Sequence, residues 1–132
     1  MIGIIDASGA VEILLQREKA DKFSKVLEES SFVWAPDLYV SELTNTLWKY
    51  HIQKYYTVME CFRYIQLGIG YVDEFIDSRE LWQEAFSEGA KNKHSVYDMF
   101  YMVTARRNGG TLITNDSALA RVCKKNRIQV CY

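Results

Sequence analysis

The sequence predicts an α/β protein whose central, mainly parallel sheet of about five strands is covered by helices on both faces. Three observations carry that expectation. Short apolar runs alternate with stretches of helical periodicity along all 132 residues, and strands separated by helices pair in parallel through crossovers. Two of these runs, 2–5 and 111–114, lead through Asp6 and Asp116 straight into a helical pattern. No linker, low-complexity segment or internal repeat divides the chain, so one domain over residues 1–132 is expected.

Ile2, Ile4 and Ile5 make the first strand, a short apolar run of the buried kind. A helix follows Asp6 through Ala10, Val11, Ile13, Leu14 and Leu15, and Ala20, Phe23, Val26 and Leu27 form one stripe of a second. Residues 32–35 are the next strand. Pro36 and Asp37 then open a third helix, where proline is tolerated because the first-turn amides have no internal partner. An aromatic helix over 57–67 carries Met59, Phe62 and Ile65, and Gly68 with Gly70 is expected to stop it. These two glycines are not a dinucleotide fingerprint, because the third glycine and the preceding strand are missing. Tyr71 and Val72 mark a weak strand, and a helix spans 79–90. The helix through Asp98 is closed by Gly109 and Gly110. Residues 111–114 and 128–131 are the last strands, with Ala118, Leu119, Ala120 and Val122 on a helix between them.

Bulk properties exclude several classes. A hydrophobic content of 48% supports a real core, yet nothing approaches the roughly 20 uninterrupted apolar residues of a membrane span. The N-terminus lacks the basic region of a signal peptide. Cys61, Cys123 and Cys131 are odd in number and lack metal-ligand spacing, so they read as reduced, structural and cytoplasmic. His51 and His94 read as ordinary surface or core residues. A net charge of −1 excludes coating nucleic acid by bulk charge. Local basic groups at Lys91, Lys93, Arg106, Arg107, Arg121, Lys124, Lys125 and Arg127 fit solvated faces and helix ends. Arg121, Lys124 and Lys125 are the candidates for contact with a phosphate backbone. The rings of region 47–71 exceed what a small core absorbs and fit either a homodimer face or packing on one another.

The chemistry resides in four acids. Asp98 is the only charge between Ser95 and Ala105, where an unpaired carboxylate must neutralise, pair or bind a metal. At helical spacing only His94 among its neighbours could carry positive charge, so a cation is expected from elsewhere in the fold or from solution. Asp6 and Asp116 fall where a strand hands over to a helix, at the rim that binds ligands in open parallel sheets. Each also fits a plain helix N-cap. Glu42 is the only charge between Asp37 and Lys49, with Asn45 one turn on along the same face, and it also fits a solvated helix position.

Ile4, Ile5, Asp6 and Ser8 near the start, Pro36 through Glu42 to Asn45 in the middle, Val96, Tyr97, Asp98 and Tyr101 later, and Leu112, Thr114, Asn115, Asp116 and Leu119 near the end together resemble the PIN domain family. The likeness is strongest to its small single-domain toxins of the VapC type and covers nearly the whole chain. It implies a PIN-like α/β/α sandwich and a cytoplasmic endoribonuclease that uses Mg²⁺ or Mn²⁺. It also implies an RNA substrate, a cognate antitoxin that blocks the groove, and a homodimer. Asp6, Glu42, Asp98 and Asp116 match the family's acidic quartet, and Ser8 and Thr114 match hydroxyl positions beside it.

A divalent, oxygen-seeking metal makes such a cluster favourable where bare carboxylates repel. Asp6, Asp98 and Asp116 are assigned the metal contacts. Glu42 is assigned a metal-bound water or a second ion, supported by Asn45. The rivals are a Mg²⁺-dependent phosphoryl-handling domain, against which Ser8 stands in place of a second aspartate, and a non-catalytic RNA- or protein-binding module.

Overall fold

The computed structural model describes all 132 residues. In chain order the elements are β1 (Ile2–Ile5), α1 (Ala7–Leu14), α2 (Ala20–Glu29), β2 (Phe32–Pro36), α3 (Leu38–Ile52), α4 (Val58–Gly70), β3 (Glu74–Ile76), α5 (Ser78–Asn92), α6 (Val96–Asn108), β4 (Thr111–Ile113), α7 (Ser117–Lys125) and β5 (Gln129–Cys131). The sheet order is β3-β2-β1-β4-β5, and all four pairings are parallel. The chain builds outward from β1 through β2 to β3, then returns to add β4 and β5 on the other side. That reversal opens a crevice between the carboxyl ends of β1 and β4, the usual ligand position in such sheets.

Helices α1 to α4 pack among themselves, while α6 lies on β1, β2 and β4 with α5 against it. The core between them is largely apolar. Ile4, Ile5, Leu112 and Ile113 of the sheet are fully buried, as are Tyr39, Leu43 and Leu47 of α3 and Met99 and Met102 of α6. Arg106 and Arg107, expected as solvated helix-end charges, instead tie α6 to α5. Arg106 pairs with Glu84 at 2.6 Å and with buried Glu88 at 2.9 Å, and Arg107 pairs with Glu84 at 2.7 Å. The three cysteines are buried and unpaired. No helix is long and apolar enough to cross a membrane.

Three expectations need correction. Pro36 does not open a helix. It ends β2, opposite Ile76 of β3, and α3 begins after Asp37. The third strand falls at 74–76 rather than at Tyr71 and Val72, because α4 runs through Gly68 and ends only at Gly70, with Tyr71 as its C-cap. Gly68 is a contact point: a Cβ there would stand 2.6 Å from Leu43 Cδ2 and 3.1 Å from Leu14 Cδ1, and its carbonyl accepts a 2.6 Å hydrogen bond from Tyr39 Oη. Its lack of a side chain is what lets α4 lie close on α3 and α1. Gly109, by contrast, does close α6, in the left-handed conformation at φ 58°. Of the aromatic-rich region, Tyr50, Tyr55, Tyr56 and Tyr64 pack edge to face on one another. Trp48, Ile52, Met59, Phe62 and Leu67 remain more than half exposed.

Candidate active site

All four acids singled out in the sequence line one pocket of about 360 Å³ at the crevice between β1 and β4. Asp6 continues β1, Asp116 follows β4, Glu42 projects from α3 and Asp98 from the first turn of α6. Ser8, Asn45 and Asn115 line the same pocket, and Thr114 lies fully buried beneath it.

Asp6 is the most enclosed of the four, at 5% exposure. Its Oδ1 accepts hydrogen bonds from Gly9 N and Ser8 Oγ, both at 2.7 Å, and its Oδ2 accepts one from Thr114 Oγ1. Thr114 Oγ1 also accepts from Asp116 N at 3.0 Å, and Ser8 Oγ accepts from Asn115 N at 2.8 Å, so two hydroxyls lock the ends of β1 and β4 together. Each hydroxyl commits its single hydrogen to Asp6. Gly9 makes this approach feasible, since a Cβ there would stand 2.6 Å from the Ile113 carbonyl oxygen. Burial nonetheless outweighs these bonds and, with the charge of Glu42, pushes the Asp6 carboxyl up to about 6.

Each of the other acids is held by one side of its carboxylate. Asp116 Oδ1 caps α7 through Ala118 N at 2.9 Å and Leu119 N at 3.1 Å. Glu42 Oε1 accepts from the buried Tyr101 hydroxyl at 2.6 Å, and Asp98 Oδ2 lies 2.7 Å from His94 Nε2. No protein donor reaches Asp116 Oδ2, Glu42 Oε2 or Asp98 Oδ1, and none of these oxygens is sealed away from solvent. Burial raises the carboxyls of Glu42 and Asp98, and each feels a further acid: Asp98 acts on Glu42, and Asp116 on Asp98. The four acids are therefore one mutually repelling set. The N-cap reading of Asp6 and Asp116 and the pocket reading hold together, because a cap uses only part of a carboxylate.

The donor set suits a hard divalent cation. It is all oxygen, it is acid-rich, and no Lys or Arg forms an ion pair with any of the four. No three acidic, histidine or cysteine side chains converge into a finished cage. A cation of the Mg²⁺ type, which keeps several waters and takes one or two carboxylates, needs no such cage.

Several residues at or beside the pocket were missed or under-read in the sequence. His94, noted as the only neighbour of Asp98 able to carry positive charge but read as an ordinary histidine, is bonded to Asp98. Tyr101 stands three residues beyond Asp98. Glu12 is a fifth acid, 5% exposed, accepting from Lys19 N at 3.2 Å and Asn115 Nδ2 at 3.1 Å. The cations of the rim are Arg17 and Lys49, with the Arg17 guanidinium 5.1 Å from the Tyr50 ring centre and bonded to its hydroxyl. Lys49 follows Glu42 and Asn45 by two turns and one turn on the same helix face. Arg121 and Lys125 instead line a separate depression of about 250 Å³ with Asn92 and His94, and Lys124 lines neither.

The PIN domain family model matches residues 4–125. Ribonuclease VapC3 of Pyrobaculum aerophilum is 24% identical over 123 residues, covering 89% of this chain and 91% of that protein. Among solved structures, PAE2754 from Pyrobaculum aerophilum aligns with a TM-score of 0.71 and 18% identity over 92% of this chain and 84% of its own. VapBC2 from Rickettsia felis, solved bound to a DNA fragment from its promoter, aligns with a TM-score of 0.67 and 13% identity over 99% and 98%. These two share the PIN-like α/β/α fold with this chain.

Proposed function

This chain belongs to the PIN domain family, and on that premise we propose that it is a metal-dependent endoribonuclease acting on single-stranded RNA, the toxin of a type II toxin–antitoxin pair. The observation that carries the proposal is the pocket itself: four coupled acids at one crevice, three of them presenting a carboxylate oxygen that no protein donor takes. The name of the VapC3 relative and that of the VapBC2 structure support the activity and the antitoxin partner.

Asp98, Asp116 and the remaining lone pair of Asp6 Oδ2 would hold Mg²⁺ or Mn²⁺, with Glu42 toward a bound water or a second ion and Asn45 beside it. When bound, such an ion lowers the pKa of water and offsets charge on a phosphodiester. The protein's own part is positioning. Ser8 and Thr114 fix Asp6, Tyr101 fixes Glu42, and the α7 amides fix Asp116. Arg17 and Lys49 at the rim draw in a backbone that the acids alone would repel, and Arg121, Lys124 and Lys125 would meet the strand farther along. A single strand reaches such a recessed pocket more readily than a duplex. The reading includes a homodimer, for which Trp48, Ile52 and Phe62 offer exposed apolar area, and cytoplasmic action, in keeping with three free cysteines.

Purified protein incubated with single-stranded and structured RNA oligonucleotides, with Mg²⁺, Mn²⁺ or EDTA, should cut the single strands only when metal is present. RNA binding without cleavage, indifferent to EDTA, would support the non-catalytic module instead. Transfer of labelled phosphate from a small donor would support the phosphoryl-handling reading.

A further inference from the structure

We infer that His94 is a positioning residue for Asp98, holding Oδ2 so that Oδ1 is presented to the acidic pocket; the inference rests on the nuclease reading above. His94 Nε2 lies 2.7 Å from Oδ2 and is the sole protein group bonded to this carboxylate. Against a carboxylate, the ring donates through Nε2–H. The two side chains are 18% and 24% exposed, so the bond is largely shielded from competing water.

The start of α6 is arranged around this bond at the expense of its own cap. Asp98 is the third helical residue, the position from which an acid ordinarily reaches back to the N-cap amide. Here Ser95 makes no side-chain cap, and Asp98 bonds to His94 instead. A side-chain cap stabilises a helix more than a spacing-of-four surface pair does, so local helix stability does not account for the choice. The ring is in turn fixed by the tight turn from α5 to α6. Lys93 takes the left-handed conformation at φ 52°, and His94 N donates to the Gly89 carbonyl at 3.1 Å. The Arg106 and Arg107 pairs to Glu84 and Glu88 hold the same two helices together. The remaining acids draw on helix-start amides or on core hydroxyls. Asp98 alone depends on a single histidine ring, which also lines the neighbouring basic depression.

The test compares wild type, His94→Leu and His94→Gln by Mn²⁺ titration without RNA, followed by electron paramagnetic resonance, and by steady-state cleavage of a single-stranded RNA. Removing the bond should weaken Mn²⁺ binding by about 10- to 100-fold and lower kcat with KM little changed, while glutamine, whose amide reaches Oδ2, restores both. Metal-free melting temperatures should agree among the three. If His94→Leu does not fold, His94→Asn takes its place, since its shorter amide does not reach Asp98. Unchanged Mn²⁺ affinity and kcat in the leucine variant, or equal losses in leucine and glutamine, would overturn the inference while leaving the nuclease reading intact. A wild type that binds no Mn²⁺ and cuts no RNA overturns that reading and the inference with it.

Discussion

Replacing Asp6 with asparagine should make the metal-free protein more stable while abolishing cleavage. The buried Asp6 carboxyl has its folded-state value raised from 3.8 to about 6. Its favourable protonated state is fully available below about pH 3.8, and that stability is lost as pH rises through about 6. At neutral pH the ionised form therefore costs about 3 kcal/mol relative to the unfolded chain. Asparagine removes the charge and keeps most of the bonds: its oxygen still accepts from Gly9 N and Ser8 Oγ, and its amide donates to Thr114 Oγ1. Weaker neutral bonds give back about 1 to 2 kcal/mol. The net gain is about 1 to 2 kcal/mol, or about 3 to 8 °C in Tm for 132 residues. Calorimetry in EDTA at pH 4, 5, 6 and 7.5 measures it. By the same linkage the variant should be less stable than wild type by about 0.5 to 1.5 kcal/mol at pH 4, and the difference should change sign as pH rises and level off in the variant's favour above about pH 6. Mn²⁺ at pH 7.5 should raise the melting temperature of wild type and not that of the variant. A variant less stable than wild type at pH 7.5, or a difference independent of pH, would refute the claim that Asp6 is held as a strained charge.

Two further perturbations probe separate parts of the account. Arg17→Ala with Lys49→Ala should raise KM for single-stranded RNA, flatten its salt dependence and leave kcat within about threefold, measured by cleavage across a salt series. Gly68→Ala should lower stability by about 1 kcal/mol in chemical denaturation, because overpacking against buried Leu43 exceeds the gain in helix propensity.

Much of this site was readable without coordinates, for a physical reason. A carboxylate in an apolar neighbourhood, such as Asp98 between Ser95 and Ala105, announces an unmet electrostatic demand in one dimension. Asp6 and Asp116 were legible because strand-to-helix corners in a parallel sheet share one rim. What escaped was set by contacts distant in the chain. Tyr101 is bonded to Glu42, 59 positions earlier, and Arg17 meets Lys49 and Tyr50 at the rim only once α1 has packed on α3. The cations chosen from sequence, Arg121, Lys124 and Lys125, formed the densest cluster in the chain, yet fold position rather than density decides what faces a pocket. Gly68 was only half legible: local rules read the glycine pair as a helix end, and α4 does end at Gly70, but the approach of Leu43 and Leu14 that demands the missing side chain at Gly68 is a tertiary contact. His94 was within reach, since its spacing of four from Asp98 is a local signal.

The most direct measurement is Mn²⁺-dependent cleavage of a single-stranded RNA by wild type, by Asp98→Asn and by Asp77→Asn, an acid that caps α5 and lines no part of the pocket. Folding is checked by circular dichroism, and Mn²⁺ affinity is measured on the same samples. The account predicts that wild type and Asp77→Asn cut the RNA and bind Mn²⁺, and that Asp98→Asn folds but does neither at a comparable level. Cleavage and Mn²⁺ binding by Asp98→Asn at wild-type levels would contradict it.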